Sequence, residues 1–501
     1  MSSIIIGKHT LESLTSGMYS DSYVVFREYI QNSVDSVDEA IRAGVLLSGA
    51  EQISVRLAPT ENQIVIYDNG LGIPTADAEK TLISIGNSKK SSESSRGFRG
   101  IGRLSALSYC KQLTFITSFK GEGVATKIVI DASKLSAVLA DDTKADVTVI
   151  DVLESVYTVY TFSECEDLHY FSVQLDGVDV NSKLLSCAEV EDYLTQNAPA
   201  PYNPDFIWGK EITKRLQKEG LKISVYNISL EYGTKVKSIY KPYKDEFIVD
   251  KGKNITDVVQ DIQIIKIPNE SANLTAIGWL AKTNYMGSIY EKAVKGIRLR
   301  KGNILIGDHQ TLNVVFKDAR FNGWSIGEIF AIDKQLIPNA RRDNFEKNPV
   351  YFSLFEQLMT IAAGITKEIR TASLKRNTTL SNAIEQLNTT AQQATSALDE
   401  GVTGAQKGLI TKKLREAQTA VFNSTANSDS EQYCQDIAFA ELDMLIGKFK
   451  GTTKYKALNT IDNLTNTEKK ILERVIQVVD SLKIENADVV IEAILTDFSN
   501  K

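Results

Sequence analysis

Three glycines in the segment SIGNSKKSSESSRGFRGIGRLSALSYC (84–110) sit where chemistry could be done. A polar, Ser- and Lys-rich loop leads there to Gly97, Gly100 and Gly102, and then into an apolar helix carrying Leu104 and Leu107. Glycines at a helix N-terminus let backbone amides point at an anion, and the helix dipole adds to that attraction. Upstream, VVFREYIQNSVDSVDEAIRA (24–43) predicts a helix with Phe26, Ile30, Val34, Val37 and Ile41 on one side. Glu28, Asn32 and Asp35 are spaced i, i+4, i+7 and form a narrow stripe on the other. Taken alone, that stripe also describes an amphipathic helix turning its acids to water. Between the two, IVIYDNGLGI (64–73) is a β-branched strand that runs into Asp68, Asn69, Gly70, Leu71 and Gly72, which taken alone is a D-G type turn.

The order and gaps of these three elements, from residue 28 to residue 102, carry more than any one of them. Together they resemble the Bergerat (GHKL) ATP-binding fold, shared by gyrase B, MutL, histidine kinases and the ninety-kilodalton heat-shock chaperones. The family's E-x-x-x-N-x-x-D is matched by Glu28, Asn32 and Asp35, its D-x-G-x-G-I by Asp68, Gly70, Gly72 and Ile73, and its G-x-x-G-x-G lid by Gly97, Gly100 and Gly102. The resemblance implies ATP and Mg²⁺ as ligands and a role for each residue. Glu28 would be the general base that polarises the attacking water, and Asn32 would hold a Mg²⁺ that also touches the phosphates. Asp35 would support the polar network, and Asp68 would accept the adenine amino group. Gly70 and Gly72 would let the backbone approach the base. Amides at Gly100, Ile101 and Gly102 would cradle the phosphates, with Lys89 or Lys90 as a lid cation. The family's Gly-Thr strand, which brings a threonine near the adenine, has no matching pair: Thr126 in VATKIVI comes early, and HYFSVQL (169–175) lacks it.

Further along, Leu336-Ile337-Pro338-Asn339-Ala340-Arg341-Arg342-Asp343 resembles the chaperone family's L-P-L-N-x-S-R-E. In that family the arginine reaches across a domain boundary to the γ-phosphate, so that hydrolysis depends on closure. Aligned on Asn339 it is Arg342, with Arg341 as its neighbour. MutL shares the Gly97-Phe98-Arg99-Gly100 stretch but follows it with Glu-Ala, whereas Ile101-Gly102-Arg103 keeps the glycine of the chaperone branch. Divergent bacterial chaperone-like proteins are therefore the nearest resemblance. Three other readings fail. Gly323 to Gly327 fits G-x-S-x-G, but no histidine follows His309. No G-x-x-x-x-G-K-[ST] exists. A histidine kinase needs a phosphoacceptor ahead of the ATP domain, and only His9 precedes it.

The elements that must position these residues divide the 501-residue chain in three. An α+β architecture is expected: an N-terminal Bergerat α/β sandwich (1–154), an α+β transducer-like middle domain (155–348), and an α-helical C-terminal region (349–501). The middle domain carries strand-like runs such as HYFSVQL, LKISVYNISL and IQIIKIP. After Pro349 there is no proline, and helical periodicity takes over. Polar interruptions at 422–430 and 450–454 predict inter-helix loops, and the Ala-, Gln- and Thr-rich stretch from 378 reads as a long solvated helix or a partner-binding coil. Net charge is -6, which demotes nucleic acid as a partner. The four cysteines form no C-x-x-C pair, MSSIIIGKHT shows no leader pattern, and no apolar run approaches the ~20 residues of a membrane span, so a cytoplasmic address is expected. The expected function is an ATP-hydrolysing, chaperone-like conformational clamp. ATP would order the lid between residues 84 and 103, the middle domain would dock, and Arg342 would reach the γ-phosphate. A homodimer is expected, with a protein client or partner on the helical region. The alternatives are a nucleotide-gated partner-binding module with little hydrolysis, as in a multi-gene antiviral defence system, and a MutL-like DNA clamp.

Overall fold

The computed structural model describes residues 7–8, 10–11, 21–85, 102–141, 147–252, 254–269, 271–376, 380–401, 404–424, 429–451, 465–482, 490–491 and 493–494. They fall into two compact units, residues 1–366 and 367–501.

Alternating β-branched sequence builds the first sheet. Helix α1 (Val24–Arg42) precedes the hairpin of β1 (Ile53–Ala58) and β2 (Gln63–Asp68). After helix α2 (Thr75–Ile83) come β3 (Gln112–Ser118) and β4 (Val124–Asp131). Helices α3 (Ala132–Ala140) and α4 (Val149–Val156) lead to β5 (Tyr157–Ser163) and β6 (Tyr170–Asp176). Helices α5 (Cys187–Asn197) and α6 (Trp208–Lys218) separate these from β7 (Ile228–Tyr232) and β8 (Lys235–Ser238). The eight strands lie in the order β5-β4-β3-β6-β2-β1-β7-β8. Among these eight described strands, β1 and β7 alone pair in parallel.

Period-two alternation sends Ile53, Val55, Leu57, Ile64, Ile66, Leu113, Phe115, Ile128, Ile130, Val173 and Leu175 into one core. Phe26, Ile30, Val34 and Val37 of α1 join that core, each burial contributing about 1.5–3 kcal/mol. Register then fixes one row across four strands: Asp68 pairs with Phe171, Phe171 with Thr117, and Thr117 with Thr126. Directly paired residues share a face, so this row lies on the aliphatic side of the sheet, at the end where it turns polar.

The sheet departs from the expected boundary at residue 154. β5 and β6 belong to it, and β6 is inserted between β3 and β2, in the centre rather than in a later domain. Strand propensity shows that HYFSVQL is a strand; which neighbours it joins depends on contacts far along the chain.

The rest of the first unit is a small ladder of β9 (Glu246–Asp250) with β10 (Ile255–Val258), and a second sheet. Its strands are β11 (Asp261–Pro268), β12 (Leu274–Lys282), β13 (Gly296–Lys301), β14 (Ile304–Ile306) and β15 (Ile326–Ala331), in the order β11-β12-β15-β13-β14. A fully buried carboxylate, Glu328 of β15, sits in this region. Lys241 Nζ donates to both its oxygens at 2.7 and 2.9 Å, Arg300 Nε to Oε1, and Tyr202 Oη to Oε2 at 2.7 Å.

Helix α7 (Pro349–Arg376) crosses the division between the units. In the second unit, α8 (Leu380–Glu400), α9 (Gly404–Asn423) and α10 (Asp429–Gly451) share one core through Leu387, Ala394, Leu414, Val421, Leu442 and Phe449. The stretch expected to be a solvated helix is thus a packed one: Ala383, Leu387 and Ala394 give α8 an apolar stripe of small residues that its polar composition conceals. Helix α11 (Asn466–Ser481) opens on a capping box, with Thr465 and Glu468 bonded reciprocally. No helix among the described residues is long and apolar enough to cross a membrane.

Glu328 yields a stability test. Burial alone would raise its carboxyl, but Arg300 and Lys241 outweigh burial and hold it at about 2, below the ordinary 4.5. Glu328→Gln strands two buried cations and is expected to cost about 3–5 kcal/mol in urea unfolding of the intact chain. Because the folded value is depressed, this stabilisation is complete above pH 4.5 and is lost as pH falls towards 2. The gap between wild type and Glu328→Gln should therefore narrow below pH 4.5; a gap that widens there would contradict the assignment.

Candidate functional site

Glu28 leaves α1 on the side facing the start of a 3-10 helix, Gly102–Ser108. It is 8% exposed, and Asp35, two turns on, is 3% exposed, so the stripe is not a solvated face. Asn32 between them is partly exposed. Gly102 abuts the carboxylate: a Cβ there would stand 2.1 Å from Glu28 Oε2. The apolar α-helix expected after Gly102 is instead a single seven-residue 3-10 segment. The chain has to enter β3 at Gln112, and Tyr29 Oη takes the Arg103 carbonyl at 2.6 Å. Arg103 in turn donates from Nε to Leu82 O at 3.0 Å and from Nη2 to Ser84 O, fastening this segment to the end of α2. Burial lowers its guanidinium to about 10.

The other Glu28 oxygen, Oε1, faces cations. Arg27 Nη2 lies 3.4 Å from it and Arg342 Nε 3.5 Å. Arg342 arrives on a loop closed by Asn339 N to Asn344 O at 2.9 Å and Glu346 N to Ile337 O at 2.8 Å. Within it, Asn339 Nδ2 donates to Asp343 Oδ1 at 2.6 Å. The loop is latched to α1 as well, through Arg27 Nη2 to Arg341 O at 3.1 Å. Arg342 has φ 56°, in the left-handed region that costs a non-glycine residue free energy. Arg342 N to Asn339 O and Gly307 N to Arg342 O hold it there.

Asp68 ends β2 with no exposed surface, its Oδ1 accepting from Gly70 N at 3.0 Å. Ile73 N donates to Thr117 Oγ1 at 2.8 Å, and His169 Nδ1 lies 2.8 Å from Gly70 O, so the DNGLGI turn is fixed from β3 and from the residue that precedes β6. The glycines here serve packing. A Cβ on Gly70 would meet Ser36 Oγ at 2.2 Å, and one on Gly72, at φ +72°, would meet Ser118 O at 1.9 Å. Their close approaches are to α1 and β3. The strand beside Asp68 is β6, and its residue in register is Phe171, stacked on Phe115 at 5.9 Å. The position next to Asp68 is thus aromatic where a threonine was sought. The threonines of that row, Thr117 and Thr126, are buried one and two strands further on, and Thr126 Oγ1 donates to Thr75 Oγ1 at 3.3 Å.

Of the residues singled out from sequence, the fold gathers Glu28, Gly102 and Arg342 at the start of α1, sets Asn32 and Asp35 further along that helix, and places Asp68, Gly70, Gly72 and Ile73 at and just after the end of β2. Lys89, Lys90, Gly97, Gly100 and Ile101 lie outside the described residues. Sequence reasoning passed over Arg27, Thr117, His169 and Phe171. Arg27 adjoins Glu28, and Thr117 breaks the apolar alternation of QLTFITS, a signal that was available. His169 and Phe171 needed the strand order.

Residues 19–156 match the family described as histidine kinase-, DNA gyrase B-, and HSP90-like ATPase. No curated protein matches the chain. The match supports ATP binding and hydrolysis by this part of the chain. Its end at 156 precedes β5 and β6, which the sheet nonetheless needs.

The glycine contacts give a paired prediction. Gly72→Ala must displace the β3 backbone and keep an unfavourable φ, whereas Gly121→Ala, at φ +93°, meets nothing within 4 Å. Thermal unfolding should show about 1 kcal/mol lost for Gly121→Ala and at least about 2 kcal/mol more for Gly72→Ala. Equal losses would mean that the Ser118 contact is not tight.

Proposed function

We propose that the chain binds and hydrolyses ATP and works as a chaperone-like conformational clamp, in which the arginine loop and the Glu28 site act together. The observation that carries the reading is the approach of Arg342 Nε to Glu28 Oε1, 3.5 Å apart on segments that are remote in sequence. The donor set fits the nucleotide. An adenine amino group would donate to Asp68, whose carboxylate is buried at the end of an aliphatic sheet face, with Phe171 beside it as apolar surface. Bound Mg²⁺, held by Asn32 with the phosphates, would neutralise phosphate charge.

The chain's own residues divide the remaining work. Glu28 polarises the attacking water, and a positioned general base is worth about 10²–10⁴ in rate. Asp35 supports it from the same helix face. Gly100, Ile101 and Gly102 amides and Lys89 cover the phosphates. While Arg27 and Arg342 share Oε1, that oxygen is engaged by cations rather than by a water. A γ-phosphate competes for Arg342, frees the carboxylate and stabilises charge on the transferring group at once. Closure and base activation are then one event. We further propose a homodimer, a protein client or partner on the helical second unit, and a cytoplasmic setting.

The double hold on Oε1 also favours a second reading, a nucleotide-gated partner-binding module with little hydrolysis, whose output is the docked shape. Phosphate release and direct ATP binding separate the two. The clamp predicts that Glu28→Ala binds ATP and loses turnover by about 10²–10⁴. It predicts that Arg342→Ala slows turnover at least about tenfold with near-normal affinity, and that Asp68→Asn weakens binding about tenfold or more. Unchanged turnover in Arg342→Ala removes the clamp. Binding without turnover in wild type favours the gated module.

A further inference from the structure

The first unit holds a second concave site, built from the segment between β12 and β13 and from two 3-10 helices, Thr311–Val315 and Ala319–Trp324. The cleft encloses about 350 Å³. Lys292, Lys295, Arg320 and His309 line it with Gln310 and Asn313, and no Asp or Glu among the described residues does. Arg320 is paired with Asp318 at 2.7 Å. Lys292 and Lys295 have no ion-pair partner among the described residues, although other lysines of this unit, Lys241, Lys244 and Lys266, each hold a glutamate at 2.7–2.8 Å.

This is a built cleft rather than a loose group of surface lysines. Asn322, 1% exposed, ties its walls together: Nδ2 donates to His309 O at 3.0 Å and to Asn313 Oδ1 at 2.8 Å, and Oδ1 accepts from Ile297 N at 3.0 Å. Lys295 runs along Gly323, where a Cβ would meet its Cε at 2.6 Å, so a side chain there would push the lysine away. That glycine opens the G-x-S-x-G stretch, which no hydrolase chemistry uses. Arg298, 2% exposed, braces the wall by donating from Nη2 to Lys292 O at 2.6 Å and Ala293 O at 3.0 Å. Its Nη1, also buried, has no hydrogen-bond partner among the described residues. Burial, then Arg298, Lys295 and Lys292, lower the His309 imidazole against the opposing pull of Asp308, so these cations are felt at one point.

We propose that this cleft is a second anion site, apart from Glu28 and Asp68, that takes a small ligand carrying two or more phosphate groups. Converging cations focus positive potential, which Asp308 near His309 and Asp318 on Arg320 offset only in part. The volume is in the range of small-ligand pockets, about 300–1,000 Å³, rather than that of an extended groove for a nucleic-acid strand. Amide and imidazole groups supply directional hydrogen bonds beside the point charges of the lysines. The site stands whether or not the Glu28 site hydrolyses ATP.

With three histidines in the chain, the test can be read residue by residue. His309 reports on the cleft, and His169, against Gly70 O, reports on the Asp68 end. The full chain with labelled histidine is titrated with pyrophosphate, without Mg²⁺, and separately with ATP. Pyrophosphate should shift the His309 imidazole resonances saturably and raise its pKa, because an anion offsets the cations that lower it. Lys292→Gln and Lys295→Gln should each weaken this by roughly tenfold, the worth of one charge-assisted hydrogen bond. The His169 signal and its response to ATP should stay as in wild type, which also certifies the fold. A His309 signal indifferent to pyrophosphate in a chain whose His169 signal is in place overturns the proposal, and so does equal affinity in both lysine variants. A single-stranded oligonucleotide that shifts His309 at lower concentration than pyrophosphate overturns it in favour of a nucleic-acid backbone.

Discussion

A carboxylate that is mostly out of water must be met by charge or by hydrogen-bond donors, and Glu28 imposes that condition on everything around it. Its own helix supplies one cation, Arg27. The other, Arg342, comes from a loop whose placement requires the second sheet to be docked and the backbone held at φ 56°. Strain of that kind persists only where the surroundings over-determine it. Here the bonds from Asn339, Gly307 and Arg27 do so. One acidic side chain thereby couples a helix near the start of the chain to a turn near the end of the first unit.

Glu328 meets the same condition with a different result. Lys241, Arg300, Tyr202 and Trp279 surround it with nothing left exposed to solvent, and Arg300 also donates to Gln196 O at the end of α5. Glu28 has two cations on one oxygen and the glycine of a short helix against the other. A carboxylate enclosed on all sides is structural, while one enclosed by a strained loop and a glycine can be re-partnered. The difference lies in what surrounds the acid, since both are glutamates of low exposure.

The placement of much of the candidate site was legible from local pattern, because Glu28, Asp35, Asp68 and Gly102 are positioned by helix period, strand end and glycine, which the chain encodes over short distances. The family match covers the same stretch and supports the ATPase reading there. What was not legible depends on which strand neighbours which. HYFSVQL has the pattern of a strand in any sheet, and nothing in it says that its second residue-pair face will place Phe171 opposite Asp68. The solvated reading of α8 failed for a related reason. Alanines at 383 and 394 look polar-tolerant in sequence and become core once two further helices cover them. The 3-10 segment after Gly102 escaped because its length is set by the distance to β3 and not by its own apolar residues.

Phe171 bears on how the proposed nucleotide is read. In the row Asp68–Phe171–Thr117–Thr126, the carboxylate is separated from the nearest hydroxyl by an aromatic ring on the intervening strand. Thr117 is already committed, accepting from Ile73 N and donating to Tyr170 O at 3.3 Å. A purine held at the end of this row would find one strong acceptor in Asp68 and apolar surface beside it, with no hydroxyl from the neighbouring position of the row to share the edge of the base. Recognition then concentrates on a single charge-assisted hydrogen bond, and such a bond to a buried carboxylate discriminates because a base that cannot donate leaves the charge unmet. On the proposed reading, the departure from Gly-Thr narrows the means of base selection without removing it, and that selection would turn on Asp68.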